Sequence, residues 1–231
     1  MNSSMFVSVF LTAINQDSIS NRNQNINEIS LEFNLSNHGS NLKNIVVKNR
    51  NENLNLKNQK PLEFIELIKP TKGALISLSF ALDKIPDNTP ILVIPTNSWV
   101  NFDSEKFVNE MSNSGNEIGI VCFKSNNSKF SFLRKRGEQV LEFKEKEIIS
   151  DLATTGIVYF ANKIAISNCI EWCLLNNIHK NGIYYLVPSL NYFVCQDAKI
   201  GISEIEASKY HRIDSESDIK IFKKEVSNEN L

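Results

Sequence analysis

The chain has 231 residues, which is enough for one large domain or two small ones with a substantial hydrophobic core. Hydrophobic residues make up 42% of it and charged residues 22%, the composition of an ordinary soluble globular protein. The formal net charge of -1 excludes a general basic surface for nucleic acid or an anionic membrane, so any phosphate must bind in a local pocket.

The apolar run near the N-terminus, Met5–Ile14, predicts a buried strand. It is shorter than the about 20 residues that span a bilayer, and it lacks the basic leader of a signal peptide. No other segment suggests a membrane, so the expected location is the cytoplasm. Residues 16–60 are rich in Asn, Ser, Gln and Lys, and they predict a loop-rich segment with a helix or strand in it. We expect this segment to belong to a single domain of residues 1–231.

Beyond Pro61, apolar strands alternate with helices of amphipathic spacing. The predicted strands are Leu62–Ile68, Ile91–Pro95, Ile118–Phe123, Ile157–Phe160 and Lys199–Ser203, with a hairpin formed by Phe130–Leu133 and Gln139–Phe143. The predicted helices are Lys72–Leu82, Asp103–Asn113, Ala165–Asn176, Leu190–Cys195 and Ser217–Val226. This alternation predicts an α/β fold, a three-layer sandwich with a central mixed, mostly parallel sheet.

The cysteines do not follow a zinc pattern, because only Cys169 and Cys173 are close together and no histidine pair accompanies them. Together with Cys122 and Cys195 they are expected to be reduced, mostly buried thiols in a reducing compartment. The sequence contains no Gly-x-Ser-x-Gly or His-Glu-x-x-His motif, so Ser/His/Asp catalysis and a zinc hydrolase site are unsupported.

The first candidate binding segment, Thr71-Lys72-Gly73-Ala74, opens the helix predicted over Lys72–Leu82. The free N–H groups and positive dipole end of a helix N-terminus can hold a phosphate or a base edge. Gly73 would let a ligand approach the backbone. An ordinary capped helix is the alternative interpretation, and the position of the segment before the strand Ile91–Pro95 favours a site.

Three more segments follow this one in a recognisable order. They are Ile91–Asp103, the pair Glu145-Lys146 ahead of Ala153-Thr154-Thr155-Gly156, and Asn181–Cys195. From about Leu62 to Phe222 the series resembles the sugar-phosphate nucleotidyltransferases, which join a nucleoside triphosphate to a sugar phosphate. The resemblance implies the nucleotide-diphospho-sugar transferase-like fold. It also implies Mg2+ as cofactor if the protein is active, with a nucleotide and a sugar phosphate, or a nucleotide sugar, as partners.

Carried over residue by residue, the resemblance implies that Glu145 accepts hydrogen bonds from sugar hydroxyls. Lys146 would neutralise the sugar phosphate as the catalytic residue. The backbone of Thr155 and Gly156 would pass close to the sugar. A solvated charge run is the alternative interpretation of Lys144–Glu147, whose charges alternate in sign. The other expected substrate-binding residues are Thr71, Gly73 and Ala74.

In the family an acidic residue after the strand corresponding to Ile91–Pro95 binds Mg2+, and the matching position here is Asn97. Asn191 is the candidate for the second metal position. An amide oxygen can bind a hard cation but brings no negative charge, so the loss should weaken phosphoryl transfer. The alternative role of Asn191 is a helix cap in an aromatic core, and Asp103 is expected to cap the helix that follows it.

The family's first βα unit, with its glycine-rich loop that holds the triphosphate, is not recognisable in Met1–Lys60. The only glycine before Gly73 is Gly39. The expected family member is therefore shortened and degenerate at its N-terminus. Three explanations stay open: a shortened domain, half of a split enzyme with a companion chain, or a sequence that continues upstream.

Three functions follow from these alternatives. The first is Mg2+-dependent transfer of a nucleotide to a sugar 1-phosphate. The second is a non-catalytic binding or scaffold module of the same fold. The third is an unrelated α/β domain with chance similarity. The favoured prediction is a protein that binds a sugar phosphate or nucleotide sugar, in sugar-nucleotide or surface-polysaccharide synthesis, with reduced or no catalysis. A homo-oligomer is also left open.

Overall fold

The computed structural model describes residues 5–12, 24–52, 54–57, 60–213, 215, 217–221 and 224, and side chains in the first helix from residue 28 onward. The strands of this part are β1 Val7–Leu11, β2 Lys43–Asn49, β3 Leu62–Leu67, β4 Ile91–Pro95, β5 Ser98–Val100, β6 Ile118–Lys124, β7 Ser131–Arg136, β8 Gln139–Glu145, β9 Leu152–Phe160, β10 Ile200–Ile205 and β11 Tyr210–Arg212. The α-helices are α1 Gln24–His38, α2 Ala74–Ser79, α3 Ser104–Asn113, α4 Lys163–Leu175, α5 Leu186–Ser189 and α6 Asn191–Cys195.

A nine-stranded mixed sheet forms the centre of the molecule, with the strand order β10-β6-β9-β4-β1-β2-β3. All neighbours along this order run parallel except those of β9, which is antiparallel to both β4 and β6. The β7–β8 hairpin joins the sheet where β7 pairs with the start of β9. The predicted α/β fold with a mixed, mostly parallel sheet is confirmed.

Helices cover both faces of the sheet and bury its continuous apolar strands. One core layer lies under α2, α4, α5 and α6 and includes Leu75, Ile166 and Phe193. The other lies under α1 and α3 and includes Leu35 and Phe107. Because both faces are covered, strands such as β4 are apolar at successive positions and do not alternate with polar residues.

The N-terminal part of the chain departs from the expectation. No βα unit is recognisable in the sequence of Met1–Lys60, but the structure contains one, while the lack of the family's glycine-rich loop stays a prediction. β1 lies in the middle of the sheet, parallel to β2 and β4, and α1 connects β1 to β2. Residues 16–60 thus contain a long helix and an inner strand. The sequence between β1 and α1 contains no glycine, and residues 13–23 lie outside the described part.

The packing of α1 explains why its apolar periodicity is hidden. Ser30 and Asn34 are fully buried on its inner face. The Ser30 hydroxyl donates to the Thr96 carbonyl, and the Asn34 amide donates to the carbonyls of Ser30 and Ser98 at 2.9 and 3.0 Å. A polar side chain can be buried when it is hydrogen-bonded in this way. The buried face of α1 therefore does not read as an apolar stripe.

Other elements differ from the prediction in length. The helix expected over Lys72–Leu82 is α2, which is only six residues long, followed by a 3-10 turn at Leu82–Lys84. β9 begins at Leu152, so Thr155 and Gly156 lie within a strand. Residues 217–221 and 224 are helical, whereas 222–223 and 225–226 lie outside the described residues. Cys122, Cys169 and Cys173 are free and buried, and Cys195 is free and exposed.

No helix among the described residues is long and apolar enough to cross a membrane.

Candidate functional site

The predicted site residues lie at the edge of the sheet where the parallel strands end. β1 ends at Leu11 and β4 at Pro95, and the Thr96 hydroxyl donates to the Leu11 carbonyl at 3.3 Å. β9 runs the other way, so its first residues reach the same edge, where Thr154 lies opposite Cys122. Ligands of open α/β sheets bind outside the carboxyl ends of the strands, so this edge is the place to look for a site.

Gly73 joins this edge to the segment before α5. Its φ is +121°, a backbone conformation that glycine adopts readily and residues with a Cβ rarely adopt. A Cβ at this position would lie 2.4 Å from the Tyr184 carbonyl oxygen. The Tyr184 N–H donates to the Lys72 carbonyl at 2.7 Å, and the Leu75 N–H donates to the Tyr184 carbonyl at 3.2 Å. The first turn of α2, where Ala74 lies, is therefore fastened to Tyr184. Thr71 also bonds inside the protein, since its hydroxyl donates to the Gly73 carbonyl at 3.0 Å.

Lys146 lies directly after β8 and has an unfavourable backbone conformation. Its φ is +53°, a region that costs a non-glycine residue about 1 kcal/mol or more. The other non-glycine residues with positive φ in the described residues are all Asn or Asp, which adopt it more readily. The Lys146 N–H donates to the Phe130 carbonyl at 3.1 Å, and its exposed Nζ lies 5.7 Å from the centre of the Tyr185 ring.

Glu145 is half-buried beside Lys146 and is surrounded by cations. Its carboxylate accepts a hydrogen bond from the Ser131 hydroxyl, and its backbone carbonyl accepts one from Lys180 Nζ at 2.8 Å. Burial raises the pKa of the Glu145 carboxyl, although Ser131 and the charges of Lys146, Lys180 and Arg212 act in the opposite direction. The site thus combines a half-buried acceptor with three nearby cationic side chains.

The side chain of Asn191 links the start of α6 to β8 by hydrogen bonds. Its Oδ1 accepts from the Phe143 N–H at 2.9 Å, and its Nδ2 donates to the carbonyls of Phe143 and Pro188 at 2.8 and 3.0 Å. Pairing with both backbone groups of Phe143 holds the Tyr184–Asn191 segment against the end of β8. The structure therefore brings together Gly73, Tyr184, Tyr185, Glu145 and Lys146, which we call the Lys146 site.

The remaining predicted residues lie around Pro95. Thr155 is buried, and its hydroxyl donates to the Val121 carbonyl at 3.0 Å and accepts from the Ile157 N–H at 3.2 Å. Gly156 has a φ of +83°, and a Cβ there would lie 3.0 Å from Pro95 Cγ. Asn97 is half-buried, and its backbone carbonyl accepts from the Ile213 N–H at 2.9 Å.

The contact between Asn97 and Ile213 was not foreseen from the sequence. β11 pairs antiparallel with β5, which places Arg212 opposite Ser98 and returns the C-terminal segment to the end of β4. Tyr210 on the same strand stacks on Phe123 with ring centres 4.6 Å apart. The alternation Tyr-His-Arg-Ile at 210–213 was the available signal, but it is too short to predict a strand.

The two residues expected to bind magnesium, Asn97 and Asn191, are neutral amides. Mg2+ prefers carboxylate and water oxygens in near-octahedral geometry. No group of three or more His, Cys, Asp or Glu side chains in the described part of the chain could hold a metal ion. Asn191 already accepts a backbone N–H through its amide oxygen. We therefore derive no chemical step through a metal.

No family model and no curated protein matches the sequence. Solved structures do match the fold. One is a nucleoside-diphosphate-sugar pyrophosphorylase from Vibrio cholerae RC9, with a TM-score of 0.69 and 12% sequence identity, covering 94% of this chain and 99% of that chain. Another is a candidate glucose-1-phosphate thymidylyltransferase from Bacillus anthracis in complex with a sucrose, with a TM-score of 0.72 and 11% identity, covering 94% of this chain and 93% of that chain. The chain has the fold of sugar nucleotidyltransferases.

Proposed function

We propose that this protein binds a nucleotide sugar or a sugar phosphate at the Lys146 site and acts in sugar-nucleotide or surface-polysaccharide synthesis. The observation that carries the proposal is the conformation of Lys146. A glycine or asparagine would adopt its positive φ at lower cost, so a lysine there is explained best by what its ammonium group does. An ammonium group beside an aromatic ring and a carboxylate suits a phosphorylated sugar, because the three groups can contact phosphate, ring and hydroxyl.

We further propose that binding is the main activity and that nucleotidyl transfer is weak or absent. Phosphoryl transfer depends on neutralising charge at the phosphates. The position after β4 carries the neutral amide of Asn97, and the sequence between β1 and α1 has no glycine for a phosphate-holding loop. The acidic metal ligand and the glycine-rich loop, which would bind the triphosphate, are thus replaced. Glu145 and Lys146, which would bind the sugar phosphate, are present.

A turnover assay separates binding from catalysis. The purified protein is incubated with Mg2+, nucleoside triphosphates and sugar 1-phosphates, and pyrophosphate release is followed. We expect no turnover, together with a rise in melting temperature when nucleotide sugars are added, because a ligand of the folded state stabilises it. Turnover would support the transferase instead, and absence of both signals would refute the proposal.

The variant Asn97→Asp tests the metal side of the transferase alternative. If Asn97 occupies a metal position, a carboxylate there should raise the Mg2+ affinity several-fold, which can be measured by titration. Asn101→Asp is a nearby control that should leave the affinity unchanged. Equal Mg2+ affinity of wild type and Asn97→Asp would remove Asn97 from any metal role.

A further inference from the structure

Thr154 carries a buried hydroxyl that the fold leaves without a partner. Its exposed fraction is 5%, and its Oγ1 has no hydrogen-bond partner among the described residues. Buried hydroxyl groups are normally hydrogen-bonded, and leaving one unpaired is costly. The neighbouring Thr155 shows the usual arrangement, because its hydroxyl bonds to both Val121 and Ile157. Thr154 therefore needs an explanation that Thr155 does not.

The alternation of β9 places Thr154 on the same face of the sheet as the Lys146 site. Leu152 on β9 and Cys122, which lies opposite Thr154 on β6, share its face and pack in the core layer that also contains Leu75 and Val187. Ala153 and Ile157 pack on the opposite face. The Thr154 side chain is therefore directed toward the layer of α2 and α5.

The position of Thr154 along β9 also matches the Lys146 site. It lies near the beginning of the strand, at the edge where the parallel strands end. α5 packs against both β8 and β9, and it begins directly after Tyr185, whose ring lies below Lys146 Nζ. Thr154, Tyr185 and Lys146 thus share one layer and one end of the sheet.

We propose that the Thr154 hydroxyl pairs with a hydroxyl of the bound sugar and helps to decide which sugar is accepted, an inference that rests on the binding function proposed above. A threonine hydroxyl both donates and accepts, so it suits a sugar hydroxyl. A site that leaves a buried polar group unpaired discriminates against ligands that cannot pair with it. The sequence resemblance pointed to the backbone of Thr155, and the hydroxyl of Thr155 is already bonded within the sheet.

Thr154→Val tests the proposal, because valine keeps the shape and removes the hydroxyl. We expect its melting temperature without ligand to rise by a few degrees, because an unpaired polar group is lost. We expect its affinity for dTDP-glucose or UDP-glucose, whichever the wild type binds more tightly, to fall about tenfold. Binding of the matching nucleoside diphosphate, which has no sugar, should stay unchanged.

Two further variants make the test specific. Thr154→Ser keeps the hydroxyl and should restore nucleotide-sugar binding. Thr155→Val removes a satisfied hydroxyl and should lower the melting temperature. Unchanged nucleotide-sugar affinity of Thr154→Val, or a lower melting temperature of that variant, would overturn the inference while leaving the binding function intact. If the wild type binds no nucleotide sugar, the binding function fails and this inference fails with it.

Discussion

Replacing Gly73 with alanine should lower the free energy of unfolding by about 4 kcal/mol, close to the upper end for a single substitution. The φ of +121° is strained for any residue with a Cβ, and the added methyl would lie 2.4 Å from the Tyr184 carbonyl oxygen. Tyr184 cannot move aside without losing its hydrogen bonds to Lys72 and Leu75. Thermal or denaturant unfolding measures the effect, which should be about 10 °C in melting temperature.

Gly137 provides the matched control for this variant. It also has a positive φ, +56°, but a Cβ there meets nothing within 4 Å. Gly137→Ala should therefore cost only about 1 kcal/mol, the backbone part of the effect. The difference between the two variants isolates the contact with Tyr184. Equal losses of stability in both variants would show that α2 does not contact Tyr184 as described. The assembly of the Lys146 site, which depends on this contact, would then be contradicted as well.

Acidification should lower the free energy of unfolding by about 3 kcal/mol through the buried side chain of His38. It is 1% exposed, and its ring lies 4.8 Å from the Phe102 ring. Burial, reinforced by the nearby Lys60 charge and opposed by the Val100 carbonyl, lowers the pKa of His38 from 6.5 to about 4.

The sign follows from proton uptake. Between pH 4 and 6.5 the unfolded chain binds a proton at His38 and the folded chain does not, so acidification favours unfolding. The stabilisation is complete above pH 6.5 and is lost as the pH falls toward 4. His38→Phe should remove this dependence, which denaturant unfolding at several pH values measures. His179→Gln, which removes an exposed histidine, should keep the pH dependence of the wild type. An identical pH dependence of wild type and His38→Phe would contradict the burial of a neutral His38 ring.

Most of the sheet could be predicted from the sequence, because its strands are continuous apolar runs between turn residues. β4 and β6 were predicted as Ile91–Pro95 and Ile118–Phe123. Asp103 was predicted to cap α3, and its carboxylate accepts from the Lys106 N–H at 2.9 Å. Such local signals depend only on residue type and spacing. The hairpin β7–β8 was predicted for the same reason, since Gly137 marks its turn.

The parts that failed depend on contacts between distant segments. The type and bounds of α1 were left open because Ser30 and Asn34 bury polar side chains against backbone groups of Thr96 and Ser98. The partner of Asn191 is the backbone of β8, which no local pattern reveals. The unpaired hydroxyl of Thr154 was invisible for a similar reason, because two adjacent threonines look alike until their faces of the sheet are known.

The central claim is that the Lys146 site binds a phosphorylated sugar, and calorimetric titration of nucleotide sugars tests it most directly. The wild type should bind at least one of dTDP-glucose, UDP-glucose and GDP-mannose, with an affinity that falls as salt is added. Lys146→Met should weaken that binding about 10- to 100-fold, whereas Lys144→Met, which removes a neighbouring cation paired with Glu142, should change it less than about twofold. Lys146→Asn should also lose affinity while gaining about 1 kcal/mol of stability, since asparagine tolerates the positive φ. Wild-type affinity in Lys146→Met, or no binding of any nucleotide sugar by the wild type, would contradict the account.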